Sequence, residues 1–347
     1  ARMKLSHQAF IELNDDLIHT FYEAATIDKW QGHRLLAVDG SVTQLPIFNK
    51  LLEHFGKARP HAAMPHVRLS QLYDVKNNIT LDLQVESHST GEREMALKHL
   101  NKTQAGDLVV YDRGYPAVWF YKYHRLKNVD FCMRIVQSSN VVKAFLESGK
   151  YSDVVDFPCI EKSLRRCRKD KISTESLRLR LVLVDLPSGE SEVLVSSLTD
   201  LKTYPTALFA DLYHQRWGVE EDYKVLKSRL NIENYSSVSV KGVLQDLHAK
   251  LLTKNLAACA IHDAKQKIKT PKNNRLYEYK INFTFAVNQL KDNVVRFIMK
   301  LAERELYELM ISKISKNLSV IRPDRKFLRQ DRRNKTNKYP MNYKRMC

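Results

Sequence analysis

Four residues whose types can act together on a phosphodiester follow one another at the spacing Y-x2-R-x3-E-x6-K: Tyr213, Arg216, Glu220 and Lys227. At about 100° of helix per residue they fall within roughly 60° of arc, so a phenol, a guanidinium, a carboxylate and an ammonium share one face. Two further acids stand upstream, Asp39 after the apolar run Arg34–Val38 and Asp112 after Asp107–Tyr111. Three carboxylates with no histidine or cysteine cluster suit hard divalent cations, magnesium or manganese, better than zinc. Two such ions about 3.5–4 Å apart activate an attacking oxygen and stabilise the leaving one in a displacement at phosphorus. Arginine, lysine and tyrosine on the same helix can then hold the phosphate backbone.

The elements that must position these groups are legible in the apolar pattern. A helix is expected over about 206–230, with Leu208, Leu212, Val219, Tyr223, Leu226 and Leu230 forming an apolar stripe beside the polar one. Both aspartates are expected just past buried strands, although Asp39-Gly40 and Asp112-Arg-Gly114 are also ordinary turn signals. Between them two more strands, 68–75 and 80–88, are joined by the polar turn Lys76-Asn77-Asn78. A helix over 91–101 follows, with Glu92, Glu94 and Lys98 outward and Met95, Leu97 and Leu100 available for packing. In this order three element ends can bring Asp39, Asp112 and Glu220 together.

Four strands are expected between Asp112 and Glu220, at 129–137, 153–160, 177–186 and 191–198, with a hairpin turn at Leu186-Pro-Ser-Gly189. The interval reads as a β-rich insertion, whose last strand could instead belong to the core sheet. It also carries Lys162-Ser-Leu-Arg165-Arg166-Cys-Arg168-Lys169-Asp-Lys171, six cations against one acid. Such a run is commonly a solvated loop, but beside a phosphate-handling site Arg165, Arg166, Arg168 and Lys169 are candidate DNA contacts that add affinity without sequence information. Helices are expected at 238–265, 285–301 and 303–316, around a basic loop at 267–275. The tail from Ile321 holds ten Lys and Arg against Asp324 and Asp331, and a tail of that kind orders on DNA.

The formal net charge of +18 over 347 residues points to a polyanionic partner, because counterion release drives binding to nucleic acid. Membrane is the competing polyanion, but no apolar run is long enough to span a bilayer and no basic amphipathic helix stands out. A hydrophobic content of 44% suffices for a substantial core. Five widely spaced cysteines without a C-x2-C pair argue against a disulfide framework or a zinc ribbon and fit a reducing cytosol.

Together, Ala-Val-Asp39-Gly-Ser, Tyr-Asp112-Arg-Gly-Tyr, Tyr213-x2-Arg216-Trp-x2-Glu220-x6-Lys227 and the following Glu233-Asn-Tyr-Ser-Ser237 resemble the DDE transposases of the insertion-sequence type four group. The resemblance runs from about residue 30 into the basic C-terminal region. It implies an α/β fold: a ribonuclease H-like mixed sheet, a β-rich insertion between the second and third acids, and a helical C-terminal region. The expected divisions are an N-terminal helical segment at 1–30, core at 31–115, insertion at 116–190, core with the signature helix at 191–266, and a C-terminal region at 267–347. The implied activity is cut-and-paste transposition of DNA in a bacterial cytoplasm, with Asp39, Asp112 and Glu220 ligating two Mg2+ ions, for which Mn2+ can substitute. Tyr213, Arg216 and Lys227 would hold the transposon end.

The implied partners are double-stranded DNA, as terminal inverted repeats and as target, and a second copy of the chain in a homodimer on DNA. In a relative, a tryptophan of the insertion stabilises a flipped base, yet no tryptophan lies between Trp119 and Trp217 here, so a hairpin step is left open. Only 38 residues precede Asp39 and the chain opens on Ala1; a longer N-terminal segment that reads the transposon ends is a further expectation. Two other readings stay open: a transposase-derived DNA-binding protein whose chemistry is lost, and a ribonuclease H-like nuclease that hydrolyses without strand transfer. A glycosidase using paired acids fits poorly with so basic a chain.

Overall fold

The computed structural model describes residues 2–58, 61–62, 64–185, 189–268, 277–299 and 304–322. Most of the basic tail, most of the 267–275 loop and most of the turn at 186–189 lie outside them. In chain order the elements are α1 (Gln8–Ala24), β1 (Leu35–Gln44), α2 (Asn49–Phe55), β2 (His66–Asp74), β3 (Ile79–Ser87), α3 (Glu92–His99), β4 (Leu108–Tyr111) and α4 (Val118–Leu126). Then come β5 (Asp130–Ile135), α5 (Asn140–Glu147), β6 (Ser152–Phe157), α6 (Glu161–Lys169), β7 (Leu177–Asp185), β8 (Ser191–Ser196), α7 (Leu208–His214) and α8 (Trp217–Ser228). The last are α9 (Val240–Gln266), β9 (Glu278–Ile281), α10 (Phe283–Ile298), α11 (Arg304–Lys316) and β10 (Leu318–Ile321). They fall into two compact units, one of residues 27–44 and 52–224, the other of 1–26, 45–51 and 225–347.

The first unit is built on one eight-stranded sheet in the order β3-β2-β1-β4-β5-β8-β7-β6. β2 runs antiparallel to both β1 and β3, whereas β4 is parallel to β1 and β5 to β4. This is the ribonuclease H-like arrangement expected for the core. The parallel centre is the most apolar part: Leu35, Leu36, Ala37 and Val38 of β1 and Leu108, Val109 and Val110 of β4 are fully buried, as strands covered on both faces must be. A buried pair fixes the register of the two strands at their start, with Arg34 Nε donating to Asp107 Oδ1 at 2.9 Å and Arg34 Nη2 to Oδ2 at 2.6 Å.

The insertion does not form a separate sheet. Its strands β6, β7 and β8 extend the core sheet through β8, which pairs antiparallel with β5. The strand expected at 129–137 within the insertion is β5 itself, parallel to β4. The basic run is helical and not a loop: α6 covers Glu161–Lys169 and buries Cys167. Fully buried Arg180 on β7 donates from Nε to Ser152 Oγ at 2.7 Å, from Nη1 to Tyr204 O at 2.6 Å and from Nη2 to Thr206 Oγ1 at 3.1 Å, with its guanidinium over Phe209. It thereby ties β6 and β7 to the start of α7.

The second unit is largely helical. Its long helix α9 packs against α1, α10 and α11, around a cluster that includes Ala257, Ala264, Ala286, Met310 and Ile314. Buried Asn255 donates to Asn14 Oδ1 at 2.7 Å, which satisfies two amides that would otherwise be costly inside a core. A short antiparallel pair, β9 with β10, closes this region.

Candidate active site

Asp39 does not stand past the end of its strand. β1 continues to Gln44, and Asp39 lies within it, opposite Gln71 of β2. Asp112 follows the last residue of β4, and Val38 pairs with Tyr111, so the parallel register places the two aspartates side by side on adjacent strands. The expected helix over 206–230 is interrupted. Tyr213 ends in α7, Arg216 sits in the turn, and Glu220 occupies the first turn of α8. The turn is closed by short bonds, from Arg216 N to Tyr213 O at 3.1 Å and from Gly218 N to Gln215 O at 3.0 Å.

The break lets α8 come close to the sheet. A Cβ on Gly218 would stand 2.9 Å from Val75 Cγ1, so any larger residue there would force Val75 or α8 to shift. Buried Asp222 then accepts hydrogen bonds from Gln71 and, at 3.4 Å, from Thr80, and the Tyr223 hydroxyl donates to Asp39 O at 3.2 Å. Gln71, the cross-strand partner of Asp39, is thus also the residue that docks the helix carrying Glu220.

Within this frame the Tyr213 hydroxyl lies 3.5 Å from Asp112 Oδ1, and Arg216 Nη2 lies 2.9 Å from Glu220 Oε1. Burial pushes the Asp39 carboxyl up to about 6; the charges of Glu220 and Asp112 add to this, against the Gly40 amide bond and Arg216. Burial opposes the charge of Arg216, but Tyr213, Asp112 and Glu220 together hold its pKa above the usual arginine value. The Tyr213 hydroxyl is pushed up as well, first by burial. Two aspartates, one glutamate, one guanidinium and one phenol therefore interact at one place.

The donor set suits a hard divalent cation: the carboxylates come from three separate elements, and the charges of Glu220 and Asp112 help to raise the proton affinity of Asp39, a strain that a cation relieves. Among the described residues no three carboxylate, histidine or cysteine side chains stand close enough to hold an ion as they are. Glu220 is paired with Arg216, and joining the aspartates requires it to change partner.

Lys227 is exposed in the last turn of α8. Arg165, Arg168 and Lys169 are exposed on α6. Arg166 is engaged within the protein: Nη1 and Nη2 donate to the two oxygens of Glu94 at 2.6 and 3.1 Å, Nε donates to Asp170, and the guanidinium lies over Trp119. Three residues near the site escaped the sequence reading. Gln71 and Asp222 carry no motif and are revealed only by their pairing. Glu92, exposed as its outward expectation requires, also has its carboxylate within 4 Å of where a Cβ of Gly40 or of Gly114 would stand.

A sequence profile described as the transposase DDE domain matches residues 30–256. The chain belongs to the DDE transposase family. Curated relatives of this transposase domain are the transposase for insertion sequence element IS231E of Bacillus thuringiensis subsp. finitimus, 20% identical over 75% of the chain and 62% of its own length, and the transposase InsG for insertion sequence element IS4 of Escherichia coli strain K12, 22% identical over 74% of the chain and 58% of its own. The chain thus spans about 60% of the length of these relatives. A solved piggyBac transposase synaptic complex with hairpin DNA aligns over 82% of the chain and 57% of its own chain at 11% identity, with a TM-score of 0.43. The resemblance read from the acidic motifs and the signature helix is borne out by the profile and by the two insertion-sequence relatives. No described helix of the transposase domain is long and apolar enough to cross a membrane.

Proposed function

We propose that this chain carries the catalytic centre of a DNA transposase that cuts at transposon ends and joins the freed end to target DNA by a cut-and-paste route. The observation that carries the reading is the meeting of Asp39, Asp112 and Glu220 with Arg216 and Tyr213 in one electrostatically coupled group. Asp39, Asp112 and Glu220 would hold two magnesium ions, with manganese able to substitute; when bound, these would act as Lewis acids toward the phosphate and the attacking oxygen. Arg216 and Tyr213 orient the scissile phosphate. Arg216 is suited to this because its charge persists at all working pH values and its planar fork matches phosphate oxygens.

Engagement of Arg216 by phosphate would free Glu220 from its 2.9 Å pairing to face the aspartates. Substrate would then help to assemble the site, and cations would bind most tightly when DNA is present. Lys227, with Arg165, Arg168 and Lys169, supplies further backbone contacts, Arg166 only if it leaves Glu94. The partners are double-stranded DNA and a second copy of the chain when two ends are held together, in a bacterial cytoplasm.

The test is a cleavage and strand-transfer assay on DNA carrying the ends of the element that encodes the chain, with Mg2+. Asp39→Asn, Asp112→Asn and Glu220→Gln are each expected to lower cleavage by at least a thousandfold while DNA binding changes less than threefold. Substantial cleavage by any of the three would overturn the assignment.

A further inference from the structure

The segment Glu233-Asn-Tyr-Ser-Ser237 follows α8 and takes no part in the centre described above. Past the end of α8 the chain reaches a left-handed Asn231, with φ at +45°, and turns back so that Ile232 N donates to Leu226 O at 3.0 Å. Leu230 and Ile232, on either side of Asn231, are buried. A helix that ends in such a turn leaves carbonyls that still need donors.

Those donors come from one side chain. Lys250 of α9 directs its ammonium at Asn234 O (2.6 Å), Asn231 O (2.9 Å) and Ile232 O (3.5 Å), and lies 5.8 Å from the centroid of the Tyr235 ring. Burial pushes its pKa down to about 8, against the charge of Asp246 one helical turn earlier. Asp246 in turn accepts from Ser236 N at 2.7 Å and from Ser236 Oγ at 3.0 Å, and any side chain at Gly242 would collide with Ser237. The segment is thus fastened to α9 at Gly242, Asp246 and Lys250, which at a spacing of four residues lie on one helix face. An apolar side chain in place of a buried ammonium would stabilise the fold as well or better; what three converging carbonyls gain from Lys250 is one fixed geometry. Lys227 sits in the last turn of α8, four residues before Asn231, so the direction of its side chain depends on how that turn is held.

We propose that Lys250 is a positioning residue for DNA binding: it holds the turn that ends α8 and thereby sets Lys227 toward the phosphate backbone. The proposal rests on the reading that Lys227 contacts DNA. It gives the Glu233–Ser237 motif a part in that contact, as the strap through which α9 fixes the end of α8.

The experiment is a titration of a duplex carrying the element's end with the full chain, read by fluorescence anisotropy at several salt concentrations, for wild type, Lys227→Ala, Lys250→Met and the double variant. Lys227→Ala is expected to flatten the salt dependence by about 0.9 and to weaken binding about fivefold near physiological salt, the share of one phosphate contact. Lys250→Met is expected to do the same, and the double variant to fall no further, because both changes remove one contact. If Lys227→Ala flattens the slope and Lys250→Met leaves it as in wild type, the assignment of Lys250 is wrong and the reading of Lys227 stands. A double variant that loses the sum of the two effects also overturns the assignment, since Lys250 would then act without Lys227. If Lys227→Ala itself leaves the slope unchanged, the DNA reading of Lys227 fails, and the role of Lys250 with it. Circular dichroism establishes that each variant is folded. Should Lys250→Met unfold, Lys250→Gln, which keeps a donor and removes the charge, replaces it: a flattened slope supports the proposal and an unchanged one overturns it.

Discussion

Burial and the neighbouring acids raise the Asp39 carboxyl, and its titration is the sharpest consequence. Its folded value of about 6 lies above the ordinary 3.8, so the fold prefers the protonated acid. The stability it contributes is complete below about 3.8 and is lost as pH rises through about 6. Asp39→Asn, which stays neutral, is therefore expected to stabilise the metal-free protein at pH 7.5, on the order of 2–3 kcal/mol from the size of the shift. The gain should vanish near pH 4. Thermal melts in a chelating buffer at the two pH values measure it, and an equal effect at both would contradict the assigned cause. The three acids were legible because each closes a recognisable pattern. The placement of Glu92 near Gly40 and Gly114 was not, because helical periodicity says which face of α3 packs on the sheet and nothing of what lies beyond its first residue.

Among the elements, the signature segment departs most from its sequence pattern. Its polar and apolar stripes suit one continuous helix, yet the chain breaks at Gln215–Arg216, because Gly218 must approach Val75 and Asp222 must reach Gln71 and Thr80. Such docking is decided by residues distant in sequence and leaves no local signal except the glycine. Gly218→Val is expected to cost about 2 kcal/mol through overpacking and to reduce cleavage further by shifting Glu220. Adding Val75→Ala should recover part of both losses, measured by denaturant unfolding and by the cleavage assay. No recovery would mean that the close approach at Val75 is not what demands glycine at 218. Most of the strands and helices that were expected outside this segment lie near their ranges, because alternation and helical spacing are local properties, but β1 runs on to Gln44 and α2, α4, α5, α6, β9 and β10 were not expected.

At the scale of the whole chain, the sequence pattern revealed the strands but not their neighbours. Strand order is set by long-range pairing: β5 could be joined to β4 only once Asp130–Ile135 was seen in parallel register with Leu108–Tyr111. The alternative that the strand at 191–198 belongs to the core sheet is the one realised, through its pairing with β5, whereas nothing in the sequence states that β6 and β7 extend the same sheet. The excess of +18 charges was legible from composition, whereas the internal engagement of Arg166 with Glu94 and Asp170 was not. The central claim, that these elements converge to make a metal-dependent phosphoryl-transfer centre, is tested most directly by anomalous diffraction from crystals soaked in manganese. The account expects manganese between Asp39 and Asp112, with Glu220 within reach or brought there by DNA. Manganese bound elsewhere, with the two aspartates vacant at saturating ion, would contradict it.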